Sequence, residues 1–107
     1  MSAINVEEGI KRVVNNKKLF FRLLNSFKGR ELVDQIIDNV QNGDFDTAIK
    51  ACHSLKGTAA NLAMGSLSDI SGQIEDLLRE EQSPEYLFES LLENISAVEA
   101  AIAEICI

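Results

Sequence analysis

The amino-acid sequence contains little proline, glycine or cysteine, and each shortage excludes a kind of protein. One proline and six glycines among 107 residues leave no stretch with the composition of a flexible linker, so we expect one domain over residues 1–107. The two cysteines, Cys52 and Cys106, form neither a disulfide framework nor a metal-ligand spacing, and both fit small apolar core residues. No cluster of carboxylates indicates a metal site, so we expect the chain to bind no metal or cofactor of its own.

Basic residues and long apolar runs are also scarce. The chain carries 10 Lys and Arg against 17 Asp and Glu, a formal net charge of −7 at pH 7, whereas nucleic-acid binding needs clustered cations. No apolar run approaches the roughly 20 residues that span a bilayer, and the N-terminus carries no signal-peptide pattern. We therefore expect a cytoplasmic protein that binds neither nucleic acid nor membrane. Because the helices show no second apolar face, we also expect a monomer.

The periodicity that is present is helical. No stretch alternates apolar and polar residues as a strand does, while apolar residues recur every three or four positions in five segments. The segments run from residue 5 to about 14, from about 17 to 40, from 44 to 62, from 66 to about 81 and from 83 to 105. The apolar stripe changes phase near Gly29, where we expect a break. These observations predict an all-α fold, an antiparallel up-down-up-down four-helix bundle with a short extra N-terminal helix.

Capping and turn residues mark the ends of these segments. Asn5 with Glu8 predicts a capping box, and Asn42-Gly43-Asp44 predicts a tight turn that ends on an N-cap. Met64-Gly65-Ser66 predicts the next turn, and Ser83-Pro84-Glu85 predicts an N-cap followed by proline at the first helical position. Before the break near Gly29, four apolar residues are expected in the core: Phe20, Leu23, Leu24 and Phe27.

The single histidine, His53, is the strongest candidate for chemistry. On a helical wheel the core stripe of its segment lies on the far side, so the imidazole faces solvent. That stripe consists of Ala48, Cys52, Leu55, Ala59 and Leu62. Gly57 lies one turn after His53, in mid-helix, where glycine costs about 0.5–1 kcal/mol relative to alanine. With Ala60 it leaves the imidazole uncrowded, and Lys50 and Lys56 add a cation on either side, so the surface suits an approaching anion.

The run His53-Ser54-Leu55-Lys56-Gly57, followed by the small residues of 58–62, resembles the signature of histidine-containing phosphotransfer (HPt) domains. In that signature a hydrophobic residue follows the histidine by two positions, lysine by three and glycine by four. The resemblance extends to residues 4–12, to Leu19-Phe20 and Leu23-Leu24, and to residues 42–45. Two departures are visible. Ala63 stands ten residues after the histidine, where the family usually has glycine, and residues 27–30 are about two residues shorter than usual.

The resemblance implies a phosphoryl carrier. The Nε2 atom of His53 would attack an aspartyl phosphate on a response-regulator receiver domain, and the reverse reaction would pass the group to a second receiver. Lys56 would neutralise phosphoryl charge, Gly57 would give steric access, and Glu75 would orient the imidazole through Nδ1–H. Mg²⁺ is expected in the receiver, and a sensor or hybrid histidine kinase is the other expected partner. Because the chain has no Gly-rich phosphate loop and no kinase signature, we expect no ATP-dependent kinase activity.

An apolar residue on the histidine face suggests where a partner docks. Ile49 lies about 40° from His53 on a helix face that should be polar. One interpretation is a docking patch that it forms together with further residues, namely Lys50, Ala60, Ile10, Val13 and Val14. The alternative is that the first helix simply covers Ile49.

Two other functions compete with phosphoryl transfer. A helical adaptor would bind receiver or kinase domains without chemistry, and its histidine would be incidental. An enzyme that pairs Cys52 with His53 is excluded, since adjacent helical residues point about 100° apart and Cys52 lies on the core stripe. The sequence leaves open whether the chain acts alone or belongs to a hybrid kinase, and which receivers it serves.

Overall fold

The computed structural model describes residues 3–106, and the regular structure in that range is helical. The helices are α1 (Val6–Arg12), α2 (Lys17–Asn25), α3 (Gly29–Gln41), α4 (Phe45–Asn61), α5 (Gly65–Arg79) and α6 (Phe88–Ile105), with a 3₁₀ turn at Glu85–Leu87 before α6. Helices α3 to α6 form the bundle: α4 packs between α3 and α5, and α6 packs against both α3 and α5. Because short turns join them, successive helices are antiparallel. The predicted all-α class is confirmed.

Helix α1 begins at the predicted cap, but only half of the capping box forms. The Asn5 side chain accepts a hydrogen bond from the backbone N–H of Glu8 at 3.1 Å. The backbone N–H of Asn5 instead donates to the carbonyl of Ala63 at 2.9 Å, which ties the start of α1 to the α4–α5 turn. Helix α1 ends at Arg12, about two residues earlier than predicted, because Val14 and Asn15 adopt left-handed φ angles of 56° and 58°.

The expected break near Gly29 is confirmed. Helix α2 ends at Asn25 and α3 begins at Gly29, so each helix buries its own stripe. The buried residues are Phe20 and Leu24 on α2, and Val33, Ile36 and Val40 on α3. The prediction that Leu23 is buried is wrong, since this residue is 39% exposed, and Phe27 is only half-buried. Both side chains line an open cavity between α2 and the C-terminal end of α4.

The sequence predicts the turn before α4 more accurately than the turn after it. At the first turn Gly43 has a φ of 78° and the Asp44 carboxylate caps α4 at the N–H of Thr47, as predicted. At the second turn α5 begins at Gly65, one residue earlier than predicted. Ala63 makes that reversal with a φ of 59°, a conformation that suits glycine better than alanine.

The start of the last helix corrects another expectation. Pro84 was predicted at the first α-helical position, but it precedes the 3₁₀ turn, and α6 begins at Phe88. The backbone N–H of Leu87 donates to the carbonyl of Pro84 at 2.9 Å, so an i to i+3 bond closes the turn. The hydroxyl oxygen of Ser83 accepts only a long hydrogen bond from the backbone N–H of Glu85, with 3.5 Å between nitrogen and oxygen.

Candidate functional site

His53 lies in the middle of α4 and faces outward. Its side chain is 72% exposed, as the helical wheel predicted. The five residues of the predicted core stripe are all buried: Ala48, Cys52, Leu55, Ala59 and Leu62. The packing of α4 between α3 and α5 therefore fixes the helix about its axis and holds the imidazole on the surface.

Glu75 reaches His53 from the neighbouring helix α5. Its side chain is 7% exposed, and its Oε1 atom lies 3.4 Å from Nδ1 of His53. This distance is within ion-pair range but too long for a good hydrogen bond, and Oε1 accepts no hydrogen bond from the described residues. The other oxygen, Oε2, accepts from Arg79 Nε at 2.9 Å and lies 2.8 Å from Nη2. A buried acceptor thus faces Nδ1, which directs the opposite ring nitrogen, Nε2, away from α5.

Lys56 and two glycines form the rest of the histidine face. The Lys56 side chain extends over α5, where a Cβ atom on Gly72 would be 3.5 Å from its Cδ and 4.0 Å from its Nζ. The Lys56 carbonyl accepts a hydrogen bond from Ser68 of α5 at 3.0 Å. A Cβ on Gly57 would meet no heavy atom within 4 Å, so this glycine borders open space and not a helix–helix contact. The surface beside His53 is therefore cationic and uncrowded.

The thiol next to the histidine has the properties of a core residue. Cys52 is buried, and burial followed by the charge of Glu75 raises its pKa to about 12. A thiol with such a pKa is protonated at neutral pH and is a poor nucleophile. Within residues 3–106 no group of three or more His, Cys, Asp or Glu side chains is placed to hold a metal ion. Chemistry at this face therefore depends on the imidazole.

The candidate docking residues lie on two sides of His53. Ile49 is half-buried against the core and Lys50 is exposed, both about one turn before His53. Helix α1 lies at the other end of α4, where a groove of about 760 Å³ separates it from Ala60 and the α4–α5 turn. Ile49 precedes Ala60 by eleven residues, roughly 16 Å along the axis of α4. The structure thus does not bring Ile49 together with α1, and α1 does not cover it.

The three candidate residues of α1 and its C-terminal end differ in exposure. Ile10 and Val13 are half-buried and pack against the core, whereas Val14 is 90% exposed. A second cavity, of about 560 Å³, lies beside Val13, between α2 and the C-terminal end of α4. Only Val14 therefore offers most of its side chain to a partner.

Comparison with known proteins places this arrangement in a family. The family model described as the Hpt domain matches residues 26–104. The chain belongs to the Hpt domain family. Hpt domains are phosphocarrier modules of two-component signalling, and the exposed His53 lies in the matched region.

A solved structure supports the same fold over nearly the whole Hpt domain. The crystal structure of the HPT domain from the Hpt sensor hybrid histidine kinase from Shewanella aligns with a TM-score of 0.83, covering 96% of this chain and 92% of that chain. The sequence identity is 19%, so the likeness concerns the fold. No curated protein sequence matches this chain at a significant level. Within residues 3–106 no helix is long and apolar enough to cross a membrane.

The structure of this Hpt domain adds two features that the sequence analysis missed. Arg79 holds the Glu75 carboxylate, although a Glu and an Arg four residues apart usually form an ordinary surface pair. Val14 is exposed in a left-handed conformation, which is rare for a β-branched residue. The four-residue spacing of Glu75 and Arg79 could have predicted their ion pair, whereas no sequence pattern predicts the φ angle of Val14.

Proposed function

We propose that this Hpt domain relays a phosphoryl group between aspartates of response-regulator receiver domains through phosphorylation of His53. The observation that carries the proposal is the contact across α4 and α5, in which Nδ1 of an exposed His53 faces the buried Oε1 of Glu75. A proton on Nδ1 would be held toward Glu75, which leaves the lone pair on Nε2 directed outward. An outward lone pair is what attack on a group held by another protein requires.

The transfer exchanges one bond for another. The Nε2 lone pair attacks phosphorus in line, the N–P bond forms as the bond from phosphorus to the aspartate oxygen breaks, and the electron pair of that bond stays on the aspartate carboxylate. Such a transfer depends on positioning and charge neutralisation. Lys56 supplies a cation on the same face, while Gly57 leaves room for the loops of the partner. The receiver supplies Mg²⁺, the chain binds no cofactor, and ATP plays no part in the step.

A receiver domain would contact both sides of the histidine. Ile49 and Lys50 lie about one turn before His53, and Ala60 lies about two turns after it. Beyond Ala60, α1 and the residues after it extend the surface with Ile10, Val13 and Val14. We propose that the receiver covers the histidine face from Ile49 to α1, and that the Hpt domain engages it as a monomer. A sensor or hybrid histidine kinase would supply the phosphoryl group to the first receiver.

Phosphoryl transfer from a phosphorylated receiver with Mg²⁺ present tests the proposal. Wild type should acquire an acid-labile, base-stable label, as expected for phosphohistidine, and His53→Gln should acquire none. Ser54→Ala, which removes an exposed hydroxyl beside His53, is the matched control and should label like wild type. Absence of label with a panel of receivers, or equal labelling of His53→Gln, would favour an adaptor that binds receiver or kinase domains without chemistry.

A further inference from the structure

The two oxygens of the Glu75 carboxylate have different surroundings. Oε2 accepts from Nε of Arg79 at 2.9 Å and lies 2.8 Å from Nη2. Oε1 is buried, lies 3.4 Å from Nδ1 of His53 and accepts no hydrogen bond from the described residues. A carboxylate withdrawn from water needs a compensating cation and hydrogen-bond donors. Arg79 meets that need at one oxygen only, so the other is left for the imidazole.

The guanidinium also fixes the direction of the carboxylate. Arg79 follows Glu75 by one helical turn, so both side chains leave the same face of α5. Its planar group donates to Oε2 from Nε and places the charged Nη2 2.8 Å from the same oxygen, and a carboxylate held by one oxygen in this way presents the other on the far side. Arg79 itself is 55% exposed, and none of its described contacts is with His53. Any influence on the imidazole therefore passes through Glu75.

We propose that Arg79 is a positioning residue for His53. By holding Oε2 of Glu75, it keeps Oε1 directed at Nδ1–H and selects the imidazole tautomer whose lone pair is on Nε2. Only the consequence for phosphoryl transfer rests on the proposed function, since the tautomer is a property of the isolated domain. Loss of Arg79 leaves the Glu75 carboxylate free to rotate, so Nδ1–H loses its fixed acceptor.

Imidazole ¹⁵N NMR measures the tautomer directly. His53 is the only histidine in the chain, so its two ring nitrogens give unambiguous signals. Wild type should show a proton on Nδ1 and a lone pair on Nε2, and Arg79→Met should show a mixture of both tautomers. Arg12→Met is the matched control, because Arg12 pairs with Glu8 in the same i, i+4 geometry on an exposed helix. This control should leave the His53 signals unchanged.

A double-mutant cycle separates a positioning role from a direct one. In Glu75→Gln the amide oxygen still accepts from Nδ1–H, but the neutral side chain needs no cation. Adding Arg79→Met to Glu75→Gln should therefore change the tautomer ratio little. Arg79→Lys retains the charge and should restore part of the wild-type ratio. Urea unfolding of every variant checks that the fold is intact. If Arg79→Met does not fold, the tautomer ratio is compared between Arg79→Lys and Arg79→Lys combined with Glu75→Gln.

The rate of phosphorylation by phosphoramidate, a small donor that needs no docking surface, gives a second readout. Arg79→Met should slow labelling of His53 by about twofold or more, since the rate scales with the fraction of molecules in the competent tautomer. The proposal is overturned if Arg79→Met has the tautomers and rate of wild type, or if it lowers the rate equally in the Glu75→Gln background. Failure of the relay itself would appear differently, as normal tautomers and labelling by phosphoramidate without transfer from receivers.

Discussion

The ring of Phe20 lies directly against the backbone of Gly9, where a Cβ atom would be only 2.2 Å from Cε1 of the ring. Phe20 is fully buried, so the ring has little freedom to withdraw. Gly9 is therefore required by packing between α1 and α2. This contact and the hydrogen bond from Asn5 to Ala63 hold α1 at the C-terminal end of α4.

Replacing Gly9 by alanine should destabilise the domain. The new methyl group has no room beside Phe20, and overpacking of this kind costs about 1–3 kcal/mol in the free energy of unfolding. Urea denaturation followed by circular dichroism measures the change. Gly9→Ala in a Phe20→Leu background is the control, because removal of the ring should reduce the penalty. An equal penalty in both backgrounds would mean that the methyl group clashes elsewhere.

Gly57→Ala should have the opposite effect on stability. A Cβ at Gly57 meets nothing within 4 Å, and alanine in a helix interior is favoured over glycine by about 0.5–1 kcal/mol. The domain should become more stable by about this amount. Gly57→Gln should slow transfer from a receiver while labelling of His53 by phosphoramidate stays near wild type. If Gly57→Gln retains the full rate with receivers, steric access is not the role of this glycine.

Ala63→Gly should stabilise the α4–α5 turn. Ala63 adopts a φ of 59°, and a left-handed conformation costs an L-residue roughly 1–2 kcal/mol that glycine does not bear. Loss of a buried methyl group offsets part of this, so we expect a net gain of about 0.5 kcal/mol. Ala60→Gly, the same change within α4, should instead lose about 0.5–1 kcal/mol. Two variants with the same sign would show that the φ angle of Ala63 is not the source of strain.

Val14 allows stability and docking to be separated. Its side chain is 90% exposed at a φ of 56°, and asparagine tolerates that conformation better than valine. Val14→Asn should unfold at a higher urea concentration yet bind a receiver more weakly, as measured by titration calorimetry. Leu92→Asn removes another exposed apolar side chain, on α6, and should leave receiver binding unchanged. Receiver affinity equal to wild type in Val14→Asn would remove this residue from the proposed docking surface.

Ile49 lies on the other side of His53 and needs its own variant. Because the residue is half-buried against the core, Ile49→Glu tests docking only if urea unfolding shows an intact fold. With the fold intact, a charged residue one turn from the histidine should weaken receiver binding. An intact fold together with unchanged binding would contradict the proposed role of Ile49.

The ion pair between α3 and α6 should make stability depend on pH. Arg30 donates to both carboxylate oxygens of Glu99, and this hydrogen bonding lowers the pKa of Glu99 from its ordinary value of 4.5. The contribution of Glu99 is present above that value and is lost as the pH falls through its lower folded pKa. Glu99→Gln should be less stable than wild type near neutral pH, and the difference should close in acid. Glu93→Gln, an exposed change on the same helix, should show no such convergence.

Local signals predicted much of the fold. The break at Gly29 follows from a stripe that changes phase, and the cap at Asp44 follows from a side chain that satisfies a free N–H within its own turn. The outward direction of His53 follows from the opposite core stripe. Each of these depends on residues close in sequence, and the structure confirms all three.

The sequence-based predictions fail where contacts between residues distant in the sequence determine the structure. Leu23 fits an apolar pattern, yet it stays exposed on the wall of the cavity between α2 and the C-terminal end of α4. The spacing of Glu75 and Arg79 is visible in the sequence, but the burial that makes this pair consequential comes from packing on α4. The roles of His53, Gly57 and Glu75 remain predictions that the experiments above test, and the role of Lys56 also remains a prediction.

His53 projects from a convex helix face, and neither the groove beside α1 nor the cavity beside α2 is lined by it. A reacting group held in this way lies outside both of these cavities, so a partner protein would have to exclude water and hold the phosphoryl group. The reaction centre would then exist only while two proteins are in contact, with one supplying a nucleophile and the other an enclosure. Under the proposed relay, turnover would be a property of each encounter and not of either protein alone, and one histidine would serve donors and acceptors in succession.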